Sequence, residues 1–165
     1  MTEITTELVK ELRDKTGVSV MQCKKALEET GGDIEKATAL LLEKSAEIAG
    51  KKSDRTLGAG TIGSYVHSTG TVGVMVELLC ETDFVAKNEE FKALARDIAM
   101  HVSATDPKFL KSEDAGADSD PESVLLNQPF IKNPEVTIIN LVQSATQKFG
   151  EKIEVSRFVR FSISQ

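Results

Sequence analysis

The chain has 165 residues, of which 40% are hydrophobic and 28% charged, and a formal net charge of -6. That balance excludes disordered and collagen-like chains, and no apolar run comes near the roughly 18 residues that would cross a bilayer, so no membrane association is expected. The acidic surplus argues against broad binding to phosphate backbones, which works by releasing counterions through excess Lys and Arg, so a protein partner is expected and direct nucleic-acid contact is not.

The first third predicts three short helices in a domain over residues 1–49. Ile4, Leu8 and Leu12 recur at fourfold spacing, and Gly17 stands where a helix needs a left-handed residue to stop. Ser19 and Gln22 have capping-box spacing, and Val20, Cys23, Ala26 and Leu27 form the stripe behind them. Gly31-Gly32 ends that helix, and Asp33 is placed to cap a third, from Ile34 to about Ala49. A bundle this short buries little surface and suits an adaptor better than a reaction vessel.

Residues 50–60 are polar and glycine-bearing, as in a linker or connecting arm. Beyond it the period becomes twofold. Thr61 to Ser68 and Thr71 to Cys80 read as strands joined by a Thr69-Gly70 turn, with Val72, Val74, Val76, Leu78 and Cys80 on the core side. Asn88 caps an expected helix to about Ser103, whose stripe is Phe91, Leu94, Ala95, Ile98 and Val102. The acidic stretch Ser112 to Asp120 reads as a solvated loop, and Asp120-Pro121 as the start of a short helix. A last helix, Ile138 to Phe149, ends at Gly150, and the alternating run Ile153 to Ser164 supplies a third strand. The fold class is therefore α+β. A domain over 61–165 is expected, with a three-stranded antiparallel sheet covered by helices on one face.

Little in the chain points to covalent chemistry. Cys23 and Cys80 show no C-x-x-C spacing and, with only His67 and His101 besides, suggest neither a zinc site nor a disulfide framework; packed thiols are expected. Both histidines read as surface or partly buried scaffold. Gly58 and Gly60 precede a strand, whereas phosphate-cradling loops follow one and open a helix, so no nucleotide, cofactor or metal site is predicted. The first residues, Met1 to Glu7, have neither the basic region nor the apolar core of a secretion signal.

Two residues resist a purely structural reading. Met21 falls off the apolar stripe and sits beside Lys24 and Lys25, an adaptable thioether among positive charges. Phe84 follows the second strand: parity continued from Val74 would bury it, while a strand ending near Glu81 would expose it. Both alternatives stay open on the pattern alone.

Several long stretches resemble the elongation factor Ts family: L-V-K-E-L-R-D-K-T-G from Leu8, M-Q-C-K-K-A-L-E-E-T-G-G-D-I from Met21, T-D-F-V-A-K-N from Thr82, Q-P-F-I-K from Gln128, and the closing G-E-K-I-E-V-S-R-F-V-R-F. The resemblance implies a ubiquitin-associated-like three-helix domain, a sheet-and-helix core, and guanine-nucleotide exchange on elongation factor Tu without enzymatic turnover. In the family, the phenylalanine of T-D-F enters the partner's nucleotide-binding domain, assisted by the aspartate, and disturbs the site that holds magnesium and phosphates. Carried over, those roles fall on Asp83 and Phe84, with Thr82 and Val85 beside them, and the N-terminal contacts on Arg13, Val20, Met21 and Lys24. Val20 departs from the methionine common there. Longer relatives carry two core halves and this chain has room for one, so pairing into a homodimer through Ile153 to Ile163 is expected. A bacterial cytoplasmic location is implied, with an organellar matrix or stroma as the alternative. The rival readings are a ubiquitin-binding or generic adaptor module and a small enzyme using Cys80.

Overall fold

Thr5 opens the first helix by accepting the Leu8 N–H on its hydroxyl at 3.2 Å, and α1 runs Thr6–Thr16 in a computed structural model that describes residues 2–163. Gly17, at φ 69°, closes it by donating its N–H to the Arg13 carbonyl. A side chain with a Cβ meets steric resistance in that conformation, which is why glycine stands there. Ser19 caps α2, Val20–Glu29, and Asp33 caps α3, Ile34–Lys51, so the third helix runs two residues beyond the expected Ala49. The Asp33 carboxylate accepts the Lys36 N–H at 3.0 Å, and that bond holds its carboxyl below the ordinary carboxylate range. Leu12, Val18, Cys23, Leu27 and Leu41 form the centre of this bundle, with Ile4, Leu8, Ile34 and Leu40 packed around them.

The second unit starts as a hairpin. The strands β1, Ala59–Val66, and β2, Val72–Cys80, pair antiparallel, and the His67 N–H donates to the Val72 carbonyl across the turn. A third strand, β5, Glu154–Ser162, pairs antiparallel with the other side of β2, which gives the order β1-β2-β5. The expected strand reached Ser164, which lies outside the described residues. As the alternation predicts, Val74, Val76, Leu78 and Cys80 are buried. They face α5, Glu89–Thr105, which Asn88 caps through its side-chain oxygen and which lies across β1 and β2. Full burial of Phe91 on this helix contributes about 1.5–3 kcal/mol. Gly63 lets the helix come close: a Cβ there would stand 2.7 Å from the Ala95 Cβ.

The excursion from α5 to β5 contains the short helix expected at Asp120-Pro121 and, beyond it, a strand pair that no pattern announced. Asp120 caps a single 3-10 turn, Pro121–Ser123, and a small antiparallel pair follows, β3 at Pro129–Phe130 and β4 at Asn133–Thr137. It is tied to α5 by His101, which is fully buried, where a surface or partly buried position is expected from the sequence. The imidazole Nδ1 accepts the Ile131 N–H at 3.3 Å, so Nε2 carries the proton and donates to Gln128 Oε1 at 2.8 Å. Burial pulls the pKa of this histidine below its ordinary value. The Q-P-F-I-K stretch thus has a structural task in this chain: it supplies both partners of His101.

After β4 the helix α6, Ile138–Phe149, forms over the predicted span, and Gly150 follows it at φ 71°. By backbone proximity the chain forms two units, one running to Asp54 and including Asn140–Lys152, the other made of Arg55–Ile139 and the chain from Ile153 onward. Most of the last helix therefore groups with the N-terminal helices, where Gln147 accepts the Ser45 hydroxyl, although its sequence position had suggested the core domain. Among the described residues no helix is long and apolar enough to cross a membrane.

Candidate functional site

The residues singled out from the sequence fall on both units, and each group is built by local rules of its own. In the N-terminal bundle the Ser19 hydroxyl accepts the Gln22 N–H at 3.3 Å and fixes where α2 begins. With that start, helical spacing turns Cys23, Ala26 and Leu27 inward and leaves positions 20, 21 and 24 facing solvent. Met21 is 83% exposed and Val20 51%, with Lys24 exposed on the same helix and Arg13 exposed in the last turn of α1. Underneath, the Cys23 thiol donates to the Val18 carbonyl at 3.6 Å, and burial pushes its pKa up against the opposing pull of Thr16 and Arg13. It is a neutral packing residue under an exposed apolar surface.

In the second unit, β2 ends at Cys80 and the chain turns through Glu81 and Thr82 into α4, a four-residue helix, Asp83–Ala86. The N–H of Ala86 donates to the Thr82 carbonyl at 3.2 Å and that of Lys87 to the Asp83 carbonyl at 3.0 Å. Val85 is 8% exposed and Ala86 is buried as well, and the short helix rests on β1 and β2. Phe84, one position earlier, is 90% exposed. Strand parity would have buried it, but the strand stops at Cys80 and the helical turn rotates residues 85 and 86 inward in its place. Of the eight residues proposed from sequence, Arg13, Val20, Met21, Lys24, Thr82, Asp83 and Phe84 are exposed, whereas Val85 holds the turn down instead of meeting solvent.

Supports of this turn carried no sequence signal. Arg55 reaches Glu81 at 3.5 Å, and the buried Cys80 thiol donates to the Thr82 carbonyl at 3.3 Å. A Cys80 nucleophile, the small-enzyme alternative, would have to work from a fully buried sulfur aimed at a backbone carbonyl. Among the described residues no group of three or more His, Cys, Asp or Glu side chains is placed to hold a metal ion.

The outer face of the sheet is a further exposed surface. The pairing of β2 with β5 shifts register between Glu77 and Leu78, leaving Ser156 as an extra residue on β5. Ser156 and Arg157 both donate to the Glu77 carboxylate, at 2.6 Å and 3.1 Å, and these bonds, the serine's first, hold that carboxyl below its ordinary range. Exposed Ile62, Met75 and Val159 line the same depression as Glu77 and Arg157, and exposed Phe161 lies further along β5.

The sequence profile of a family described as Elongation factor TS matches residues 1–119. The chain belongs to the elongation factor Ts family. An Elongation factor Ts from Desulforamulus reducens is 41% identical over 198 aligned positions, spanning 100% of this chain and 91% of that relative. One from Thermodesulfovibrio yellowstonii is 43% identical, spanning 98% of this chain and 97% of the relative. One from Cyanothece sp. is 41% identical, spanning 100% of this chain and 76% of the relative. Membership gives the protein an elongation-factor role in translation. It also accords with the mixed helix-and-sheet architecture seen in this elongation factor Ts family chain.

Proposed function

We propose that this protein promotes release of GDP from elongation factor Tu, with Phe84 as the side chain that enters the partner. The observation that carries the proposal is the 90% exposure of Phe84 on a turn whose next two residues are buried. A bare aromatic ring in water is costly to keep, and a few such anchors usually supply most of an interface's energy. Asp83 brings a carboxylate to the same turn, and Arg13, Val20, Met21 and Lys24 provide a separate hold on the partner.

The physics is coupled binding. A factor that prefers the nucleotide-free partner weakens that partner's hold on nucleotide, and nucleotide weakens the factor's hold to the same degree. The inserted ring disturbs the partner's magnesium and phosphate site, GDP leaves, and GTP later displaces the factor. No covalent bond changes, so the protein is an exchange factor and not a catalyst of bond chemistry, and it acts in the bacterial cytoplasm, where translation runs. Release of a fluorescent GDP from elongation factor Tu tests this directly. Marked acceleration is expected, and an unchanged release rate would overturn the proposal.

We further propose that two copies pair through the open sheet face. That face sets an acid beside a base, Glu77 and Arg157, within an apolar surround. A two-fold axis can place each charge opposite its complement, as a self-complementary interface requires. A dimer mass in light scattering at micromolar concentration is expected, and a monomer mass counts against it.

A further inference from the structure

The turn that presents Phe84 is too short to hold its own shape. Nucleating a helix fixes several dihedrals for a single hydrogen bond, so a four-residue helix needs support from outside itself. Phe84 contributes no packing, because its ring is in solvent. Its direction is set by groups on the opposite side of the turn.

We infer that the Cys80 thiol is a positioning residue for Phe84, locking the first carbonyl of the turn. The inference rests on the reading of Phe84 as the inserted side chain. Cys80 is the last residue of β2 and faces inward with Val74, Val76 and Leu78, fully buried. Two residues on, the Thr82 carbonyl accepts two hydrogen bonds. One comes from the Ala86 N–H at 3.2 Å and closes α4; the other comes from Cys80 Sγ at 3.3 Å. A carbonyl oxygen has two lone pairs, so both bonds are satisfied together. The strand end is thereby tied to the start of the turn through a side chain small and apolar enough for the core. One residue before Thr82, the Arg55 guanidinium reaches the Glu81 carboxylate at 3.5 Å. Val85 and Ala86 pin the far end.

The functional consequence is preorganisation. A loosened turn makes the same encounter but must be ordered during insertion, and that ordering adds to the barrier of the insertion step. The effect therefore falls on the maximal rate of nucleotide release and spares the concentration of factor at half-maximal rate, which the α1–α2 surface helps set.

The test compares Cys80→Ala and Cys80→Ser with wild type in the full chain. In the free protein, amide hydrogen exchange at Ala86 should rise about two- to tenfold in Cys80→Ala, the range that a single net hydrogen bond supports. The amides of α5 should stay unchanged, and Cys80→Ser, which keeps a donor, should fall between Ala and wild type. GDP release should lose maximal rate by a similar factor with the half-saturating concentration unchanged. An unchanged Ala86 amide, a rise shared by α5, or a serine variant no better than alanine would each overturn the inference. If the Ala86 amide responds as expected but wild type fails to speed GDP release, the thiol lock stands and the reading of Phe84 falls.

Discussion

Met21 and Phe84 are both large apolar side chains left in water, yet they are held there by different means. Met21 rides on a ten-residue helix whose start is set by Ser19 three residues before Gln22, so its exposure follows from local spacing. Phe84 rides on a four-residue helix that depends on Val85, Ala86, Cys80 and Arg55, contributed by a sheet face and a distant arm. The first surface survives wherever its helix forms. The second exists only when the second unit is folded around it, as the proposed insertion of Phe84 in one direction would require.

The largest expected effect breaks this comparison at its tip. Phe84→Ala should slow GDP release from elongation factor Tu more than tenfold, about 1.4 kcal/mol of barrier or more. Chemical denaturation should find its stability within about 0.5 kcal/mol of wild type, because an exposed ring carries no packing. Equal release rates would remove the distinction between the two surfaces.

Acid should next separate the units. The folded pKa of His101 lies below its ordinary 6.5, so the unfolded chain binds the proton first as pH falls. Its contribution to stability is full above about pH 6.5 and is lost as pH drops from there toward the folded value, at up to about 1.4 kcal/mol per pH unit. Urea midpoints followed between pH 7.5 and 5, about the window in which histidine titrates, should fall, and His101→Gln should flatten the slope. The loss should appear first in probes on the second unit, since protonated Nδ1 can no longer accept the Ile131 N–H.

Two smaller changes sharpen the other side. Ser19→Ala removes the α2 cap and should cost the N-terminal bundle about 1 kcal/mol in thermal unfolding while leaving the maximal release rate intact. Met21→Ala should raise the half-saturating concentration of factor about threefold, as most contacts outside an interface's central anchors cost less than about 1 kcal/mol. A fall in maximal rate with unchanged half-saturation would assign Met21 to insertion and not to holding.

Helix caps at Ser19, Asp33 and Asn88, the stop at Gly17 and the alternation of β2 were legible because each acts over a few residues. The β3–β4 pair was not, since its two strands are short and lean on His101 from across the chain. Likewise the extra Ser156 at the β2–β5 register shift shows only when the strands are paired.

For the candidate site the same division holds. Sequence by itself determined which residues were odd, Met21 off its stripe and Phe84 past its strand, because periodicity and capping are short-range and leave exceptions visible. It left Phe84 undecided between core and solvent. Only the tertiary structure decided that, when α4 rotated Val85 and Ala86 into the sheet and a thiol from the strand beneath took the Thr82 carbonyl. Those partners meet through folding of the unit, and an energy that exists only in assembled contacts leaves no periodic trace in the chain.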